Sequence, residues 1–437
     1  MATKRNPTQR PSTGAEGTEV ELDVTNVAHG GVFVARHDGR VVFVGDTLPG
    51  ERVLARITDD RHDSFWRAET LAVLDAAPER RAHIWPEAAI DRAPDHRPGG
   101  AEFGHIAMPF QRELKRRVLT DALARFGRVE SDVAVEAVPP AADAAPDSAE
   151  TGTDWRTRVR LQVADDGSVG PFSARSHTVV TVSDLPLAVT AIAEILPLHE
   201  RFPGAAHVDV IAPSADRPRV LVAEKDARGR PRRHPRGTVH ERVGERRFRL
   251  ETGGFWQVHA RAAETLHHAV QDAIDPDLFD ARAANLDLYG GVGLLAAAVG
   301  DRFGSTVRIT SVESDALATD HAAENLAEWL GASAVTERVD RYLRTLANDA
   351  GGAERQRLRA ATVVLDPPRS GAGRDVVDSL VDLAPQQLVY VACDPVALAR
   401  DTGLLRERGY ELAALRAFDL FPNTHHLEAV ARFVRAD

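Results

Sequence analysis

The chain has 437 residues, of which 43% are hydrophobic, and its 54 basic and 65 acidic side chains give a formal net charge of −11. No apolar run is long enough to cross a bilayer, and the N-terminus begins with polar residues instead of an apolar signal segment, which predicts a cytoplasmic protein without a membrane partner. The single cysteine excludes an internal disulfide and any metal or iron–sulfur site that needs several cysteines of this chain. The length allows two or three domains.

The N-terminal part of the sequence predicts a small barrel. Residues 1–17 are polar and contain Pro, Gly and Thr, which predicts a disordered tail. Residues 18–75 contain five short alternating apolar runs separated by turn signals such as Gly30-Gly31, a pattern typical of a closed OB-type β-barrel. The runs are Val20–Val24, Val32–Ala35, Val41–Val44, Arg52–Ile57 and Phe65–Val73.

Residues 76–250 predict a central α+β domain. Apolar residues at helical spacing indicate an amphipathic helix over Pro109–Phe126, and the Pro-, Ala- and acid-rich segment 139–153 predicts a flexible loop. Ten Lys and Arg residues lie between Lys225 and Arg249 on this otherwise acidic chain. They are either part of a nucleic-acid surface or the solvated face of a hairpin, and the sequence leaves both interpretations open.

Residues 251–437 alternate between helix and strand patterns, which predicts a doubly wound, mostly parallel sheet. Three predicted strands end in chemically distinctive loops, namely Asp287–Gly293, Asp366–Arg369 and Cys393–Pro395. Ligands bind at the carboxyl ends of strands in such sheets, so these loops predict one active-site rim. Cys393 is then either a nucleophile or a small buried hydrophobe.

The glycine loop at 290–293 predicts a nucleotide-type cofactor. The next strand ends in Glu313, whose carboxylate could accept hydrogen bonds from both hydroxyls of a ribose. The spacing of the glycines departs from the G-x-G-x-x-G of dinucleotide sites, which favours S-adenosylmethionine over a dinucleotide.

Five motifs in this region occur together and in a fixed order. They are Phe255-x-Gln257-Val258, Asp287-Leu288-Tyr289-x-Gly291-x-Gly293, Asp366-Pro367-Pro368-Arg369-x-Gly371, Tyr390-Val391-x-Cys393-x-Pro395 and Phe421-Pro422-x-Thr424-x-His426-x-Glu428. The set resembles the signatures of the RNA 5-methyluridine methyltransferases, which are class I enzymes dependent on S-adenosylmethionine. Residues 18–75 resemble the TRAM domain that many ribosomal-RNA members of that family carry.

The resemblance implies a Rossmann-like methyltransferase domain, a methyl transfer to C5 of a uridine in RNA, and a role for each matched residue. Uracil C5 is a poor nucleophile until a thiolate adds at C6, and the family match for that thiol is Cys393. The proton on C5 must then be removed, for which the matching base is Glu428. The resemblance places cofactor contacts at Gln257, Tyr289, Glu313 and Asp366, an orienting role at Arg369, and a candidate adenine contact at Asp340.

The sequence departs from the family pattern at three places. Where some members carry a C-G-G-C run for an iron–sulfur cluster, this chain has Pro98-Gly99-Gly100-Ala101, and the later cysteine position is Leu185, so no cluster is expected. Gly290 replaces the usual cysteine of the cofactor loop. Asp394 stands where Asn usually follows the nucleophile, and an unpaired carboxylate there would raise the pKa of the thiol.

Several alternatives remain at the level of sequence. RNA cytosine-C5 methyltransferases resemble one another in using two cysteines, and adenine amino-methyltransferases have an aromatic residue where this chain has Arg369. A catalytically silent RNA-binding relative would require neither Cys393 nor Glu428. The adjacent His425 and His426 lack closely spaced further ligands, so no metal is predicted. The TRAM-like segment favours ribosomal RNA over transfer RNA as the substrate.

Overall fold

The computed structural model of the chain describes residues 14–174, 176–232, 234 and 236–436. Most of the predicted tail, residues 1–13, lies outside these ranges. Among the described residues, no helix combines the length and the apolar character needed to span a membrane.

The first five strands form a closed barrel, as the sequence predicted, with the order β1-β2-β3-β5-β4. Residues on β1 alternate between exposed and buried, and Val20, Leu22 and Val24 point into a core that also contains Phe33 and Phe103. A parallel pair, β3 with β5, closes the barrel, while the other pairs are antiparallel. The strands are β1 Glu19–Ala28, β2 Val32–His37, β3 Arg40–Val44, β4 Arg52–Asp59 and β5 Phe65–Asp75.

The central region contains one long helix and two small sheets. The long helix, α1, ends in a π-helical turn over Leu123–Gly127, close to the predicted end at Phe126. A four-stranded sheet has the order β10-β9-β7-β8, and β11 pairs with β12 as a separate antiparallel hairpin. The elements are α1 Met108–Ala122, β6 Val135–Ala137, α2 Ser148–Thr151, β7 Arg158–Val163, β8 Val169–Gly170, α3 Thr190–Ala193, β9 Ala205–Ile211, β10 Arg219–Glu224, β11 Thr238–Val243 and β12 Arg246–Glu251.

The prediction of a loop over residues 139–153 is wrong for Ser148–Thr151, which form the short helix α2. Its C-terminal carbonyls accept hydrogen bonds from distant side chains, Arg81 and Asn423. These tertiary contacts provide hydrogen-bond partners for the backbone carbonyls at the end of α2. Such long-range partners cannot be inferred from local composition, which is why composition alone predicted a loop.

The C-terminal region forms the predicted doubly wound sheet. Its strand order is β15-β14-β13-β16-β17-β19-β18, with parallel pairs from β15 to β17 and an antiparallel end. Helices α4 and α5 pack on one face, and α7, α9 and α10 pack on the other. The elements are α4 Ala262–Ala273, β13 Asn285–Leu288, α5 Leu294–Phe303, β14 Arg308–Glu313, α6 Ala316–Asn325, β15 Gly331–Thr336, α7 Val339–Asp349, α8 Gly352–Arg359, β16 Thr362–Leu365, α9 Arg374–Leu383, β17 Gln387–Ala392, α10 Pro395–Arg406, β18 Tyr410–Asp419 and β19 Glu428–Arg435.

The large sheet also takes in a strand from the central region. β6 pairs in parallel with β18 and so becomes the eighth strand of the sheet. Helix α1 packs beside it, and the buried Nζ of Lys115 donates a 2.5 Å hydrogen bond to Asp419 at the end of β18. The edge of the sheet therefore does not coincide with the domain boundary drawn from the sequence at 250/251.

Candidate active site

Three adjacent parallel strands bring the distinctive loops of the sequence together. β13, β16 and β17 are neighbours, so their carboxyl ends meet at one edge, where the strand order also reverses. The loop after β13 carries Tyr289, the loop after β16 carries Asp366 and Arg369, and Cys393 directly follows β17. The edge is the position expected for a ligand in a doubly wound fold.

The geometry around the thiol follows from a buried strand that turns directly into a helix. All six residues of β17 are buried, and Cys393 comes next, half-buried. Asp394 then caps α10, because its Oδ1 accepts hydrogen bonds of 3.0 and 2.8 Å from the N–H groups of Val396 and Ala397. Pro395 occupies the first turn, where a missing N–H costs nothing.

Glu428 is brought to the same place by the antiparallel strand β19. Ala429 pairs with Ala392 across β17 and β19, so that Glu428 lies at the same end of the sheet as Cys393. Its side chain is buried and lines the same cleft as the thiol. Two residues that lie 35 positions apart in the sequence thus face one space.

The cleft has a volume of about 1900 Å³ and brings together every site residue predicted from the sequence. The predicted residues that line it are Gln257, Tyr289, Glu313, Asp340, Asp366, Arg369, Cys393 and Glu428. Their roles stay predictions, whereas their common position is a feature of the structure.

Burial raises the pKa values of the titratable groups that lie near Cys393. Burial raises the pKa of both Asp287 and Asp366 to about 7, and Asp366 also feels the negative charge of Asp287. Burial, with the charge of Asp366, raises the pKa of Glu428 well above its usual value. Burial and the charges of Glu428 and Asp366 raise the pKa of Cys393 to about 12, although the Arg369 guanidinium opposes this shift. The thiol is therefore protonated at neutral pH in the ligand-free cleft.

The carboxylate of Glu313 is oriented by backbone groups. It accepts hydrogen bonds of 3.2 Å from the N–H of Gly291 and 2.8 Å from the N–H of Asp315, and it also accepts from the N–H of Ser314. A carboxylate fixed in this way has lone pairs left that face the cleft and fit a pair of vicinal hydroxyls.

Gly290 is required by the packing beneath the cofactor loop. A Cβ at this position would lie 2.0 Å from Ser311 Oγ and 2.6 Å from Asp287 Oδ2. Ser311 Oγ donates a hydrogen bond to Asp287, so the buried hydroxyl takes up the space of a side chain at 290. Glycine at position 290, where the family usually has cysteine, thus leaves room for the Ser311 hydroxyl.

The central region supplies residues to the cleft that sequence reasoning did not assign. Arg160, His207 and His234 line one wall, and Glu102 lines another part. They come from separated segments without a shared motif, so no local signal could have identified them. Phe255, which belongs to a recognised motif, lines the cleft with 75% of its surface exposed.

The arginines of the basic stretch 225–249 lie in two different environments. Arg232 and Arg236 line the cleft. Arg246 instead pairs with Asp301 and Glu328, and Arg249 pairs with Glu324, so these two arginines tie the β11–β12 hairpin to the large sheet's helices. The stretch is therefore not one continuous cationic surface.

The positions expected to match iron–sulfur ligands are apolar and packed together. Ala101 and Leu185 belong to one cluster with Trp85 and Trp155. Such side chains offer no ligand to a cluster, and the residues present do not fit one.

Comparisons with known proteins agree with this architecture. The model of the tRNA (uracil-5-)-methyltransferase family matches residues 243–435, and that of the TRAM domain matches residues 15–66. An uncharacterised RNA methyltransferase of Streptomyces avermitilis is 38% identical, over 95% of this chain and 98% of its own length. One of Bifidobacterium longum is 32% identical, over 95% of this chain and 97% of its own.

A solved structure shares the fold across nearly the whole chain. The crystal structure of Pyrococcus abyssi tRNA (uracil-54, C5)-methyltransferase in complex with S-adenosyl-L-homocysteine has a TM-score of 0.67 and is 18% identical, covering 94% of this chain and 99% of its own. At this identity the likeness concerns the fold.

Fold and comparisons together define an S-adenosylmethionine-dependent RNA methyltransferase with an N-terminal TRAM barrel. The chain belongs to the RNA (uracil-5-)-methyltransferase family.

Proposed function

We propose that this protein methylates C5 of a uridine in RNA through a covalent intermediate on Cys393. The observation that carries the proposal is the common position of Cys393 and Glu428, which β17 and β19 bring to one cleft beside Arg369 and Asp366. A nucleophile, a base and a cation in one enclosed space are what methylation of an unreactive ring carbon requires.

The first role belongs to the thiol. As the sulfur of Cys393 bonds to C6 of the uracil, the S–H bond breaks and its proton passes to solvent water, while the C5=C6 electron pair moves toward C4 and leaves the negative charge of an enolate on O4. Arg369, which favours the thiolate electrostatically, is placed to stabilise the charge that develops. When bound, S-adenosylmethionine supplies the methyl group that C5 then accepts.

The second role belongs to Glu428. After methyl transfer, its carboxylate takes the proton from C5, the C5=C6 bond re-forms, and the S–C6 bond breaks to release the sulfur. Its raised pKa suits this task, because a carboxylate in an apolar site is a stronger base than one in water.

The methyl donor is proposed to lie between the loops after β13, β14 and β16. Glu313 would hold the ribose hydroxyls, with Gln257, Tyr289 and Asp366 contacting the remainder and Asp340 near the adenine. The support is that all five residues line the cleft and that Glu313 is preoriented by three backbone N–H groups.

Two alternatives differ in what they ask of these residues. An RNA cytosine-C5 methyltransferase of the known type would need a second cysteine, and the chain has one. A catalytically silent RNA-binding relative would have no use for a thiol and a buried carboxyl in the same cleft, which favours the active enzyme.

The RNA that carries the uridine is proposed to be ribosomal, on the basis of the TRAM barrel, and the reaction is proposed to take place in the cytoplasm. Transfer RNA is the second candidate. It is favoured by the Pyrococcus abyssi enzyme, whose name states a transfer-RNA substrate and whose fold matches 94% of this chain.

Methyl incorporation into unmodified ribosomal and transfer RNA, followed by nucleoside mass spectrometry, tests the proposal. We expect 5-methyluridine in one of the two pools, no product with Cys393→Ala, and unchanged RNA binding by that variant. The appearance of 5-methylcytidine, or full activity of Cys393→Ala, would overturn the mechanism.

A further inference from the structure

The turn between β1 and β2 of the barrel reaches the residue that follows the proposed nucleophile. His29 in this turn places its Nε2 2.8 Å from Oδ2 of Asp394. Their positions differ by 365 residues in the chain, and the contact joins the barrel to the catalytic edge of the large sheet. About 47% of the His29 side chain is exposed, against 19% for Asp394, so the histidine covers the carboxylate from the solvent side.

The two oxygens of Asp394 have separate partners. Oδ1 accepts from the N–H groups of Val396 and Ala397 at the start of α10, whereas Oδ2 faces His29. Burial raises the pKa of Asp394, but the hydrogen bonds from His29 and from the helix N–H groups outweigh it, and the net pKa is lowered. Because the ionised carboxylate can only accept, Nε2 of His29 carries the proton and donates.

A second contact fixes the same turn. Gly31 lies against the ring of His425 so closely that a Cβ at position 31 would come within 2.9 Å of His425 Nδ1. Gly31 also has a φ of 72°, a conformation that side-chain-bearing residues rarely adopt. His425 belongs to the segment that leads into Glu428, so the barrel turn contacts the segments that carry both Cys393 and Glu428.

The charges around Cys393 explain why the His29–Asp394 pair is relevant to the reactivity of the thiol. Glu428, Asp366 and Asp394 all disfavour the thiolate, and Arg369 alone among the named neighbours favours it. Where the family usually has a neutral Asn, this chain carries a carboxylate whose charge needs an opposing group. His29 is the side chain that donates to it from outside the catalytic domain.

We propose that His29 is a positioning residue supplied by the TRAM barrel, which donates a hydrogen bond to Asp394, weakens the effect of this carboxylate on the neighbouring thiol and so permits Cys393 to react. The inference rests on the proposed function, in that Cys393 is the nucleophile. It assigns to the barrel a part in the chemistry, in addition to any contact that the barrel makes with RNA.

The single cysteine allows a direct test without RNA. The rate of alkylation of the intact protein by iodoacetamide, measured against pH, reports the reactivity of Cys393 alone, with Cys393→Ala as the blank. We expect His29→Ala to slow alkylation at a fixed pH by about three- to tenfold, equivalent to a rise of about half to one unit in the thiol pKa.

The decisive comparison uses Asp394→Asn, which removes the charge but keeps a side chain that caps helices equally well. In the Asp394→Asn background, His29→Ala should no longer change the alkylation rate, because no charge remains to be balanced. Gly31→Ala keeps both His29 and Asp394 but displaces the turn that holds His29. It should therefore behave like His29→Ala, slowing alkylation in the wild-type background but not in the Asp394→Asn background. His37→Ala is the matched control, since His37 lies at the opposite end of β2 and neighbours Asp38.

Equal alkylation of the wild type and His29→Ala, or an undiminished His29→Ala effect in the Asp394→Asn background, would overturn the inference. A methylation assay on the accepted RNA pool separates this failure from that of the proposed function. We expect kcat, and not KM, to fall in His29→Ala and to recover in His29→Ala/Asp394→Asn. If Cys393→Ala abolishes methylation but His29→Ala/Asp394→Asn shows no recovery, the proposed function stands and the role of His29 is rejected.

Discussion

The hydroxyl of Tyr390 donates a 2.6 Å hydrogen bond to Oδ2 of Asp401, deep between β17 and α10. The same carboxylate accepts from the N–H groups of Ala372 and Gly373, at the end of the loop that carries Asp366 and Arg369. Asp401 lies in the middle of α10 and not at its end, so its carboxylate is not a helix cap. It holds two of the three active-site loops in a fixed relation.

Replacing Asp401 should therefore damage the site as well as the fold. Asp401→Ala leaves the Tyr390 hydroxyl and the Gly373 N–H without their acceptor and removes one of the two acceptors of the Ala372 N–H, for which we expect a loss of about 2–5 kcal/mol in the free energy of unfolding. Tyr390→Phe removes the hydrogen bond to Asp401 and the one accepted from the Ala372 N–H, which keeps Asp401 as its acceptor, and should cost about 1–2 kcal/mol. Urea unfolding of both variants measures the difference. Equal losses would show that Asp401 does not organise the loop.

The space beneath Gly290 gives a second prediction. Gly290→Ala forces a Cβ against Ser311 Oγ and Asp287, and we expect a loss of about 1–3 kcal/mol in stability, together with weaker binding of S-adenosylmethionine. Adding Ser311→Ala to Gly290→Ala removes the nearest atom and should restore part of the lost stability and part of the lost affinity for S-adenosylmethionine. Thermal unfolding and calorimetric titration of the two single variants and the double variant test this. No recovery in the double variant would point to a backbone cause.

A third prediction concerns Glu428 and follows from the proposed chemistry. Gln has the shape of the protonated carboxyl that burial favours, so Glu428→Gln should fold normally, but it cannot take the C5 proton. We expect turnover to fall by about 10²–10⁴-fold and a protein–RNA complex that survives denaturing electrophoresis to accumulate.

The complex should disappear when Cys393→Ala is added to Glu428→Gln. Rapid turnover by Glu428→Gln, with no trapped complex, would assign the base to another group.

The buried carboxyl of Asp287 predicts a dependence of stability on pH. Its folded pKa of about 7 lies above the ordinary value of 3.8, so the fold favours the protonated form. The stabilisation associated with it is complete below the ordinary pKa and is lost as the pH rises through 7. Asp287→Asn cannot ionise and should gain on the order of 2 kcal/mol relative to the wild type between pH 5 and pH 8. Urea unfolding at the two pH values checks this, and parallel changes in both proteins would contradict it.

Much of the fold could be predicted from the sequence because local periodicity and burial agree there. The barrel strands and the strand ends near Leu288, Leu365 and Ala392 follow from apolar runs that stop at turn signals. The candidate site could be anticipated for the same reason, since parallel strands bring their carboxyl ends to one edge. Helix α2 was missed, because its stability comes from distant partners such as Asn423.

The pairing of His29 with Asp394 could not be predicted from the sequence. The sequence identified Asp394 as an unusual charge beside the thiol, but nothing near it indicated a partner. The partner lies 365 residues earlier in a turn with no motif of its own. Contacts between separately folded layers depend on how the layers dock, and sequence periodicity carries no information about docking.

The position of β6 has a consequence for the order in which the molecule can form during synthesis. β6 and α1 are synthesised well before β18 and Asp419, which they contact, because Lys115 and Asp419 lie 304 positions apart. Apolar side chains such as Leu119, Leu123 and Val135, buried in the finished protein, must wait until β18 has been made. The largest sheet is therefore completed only after β18 has been synthesised, and termination before that strand would leave this surface uncovered.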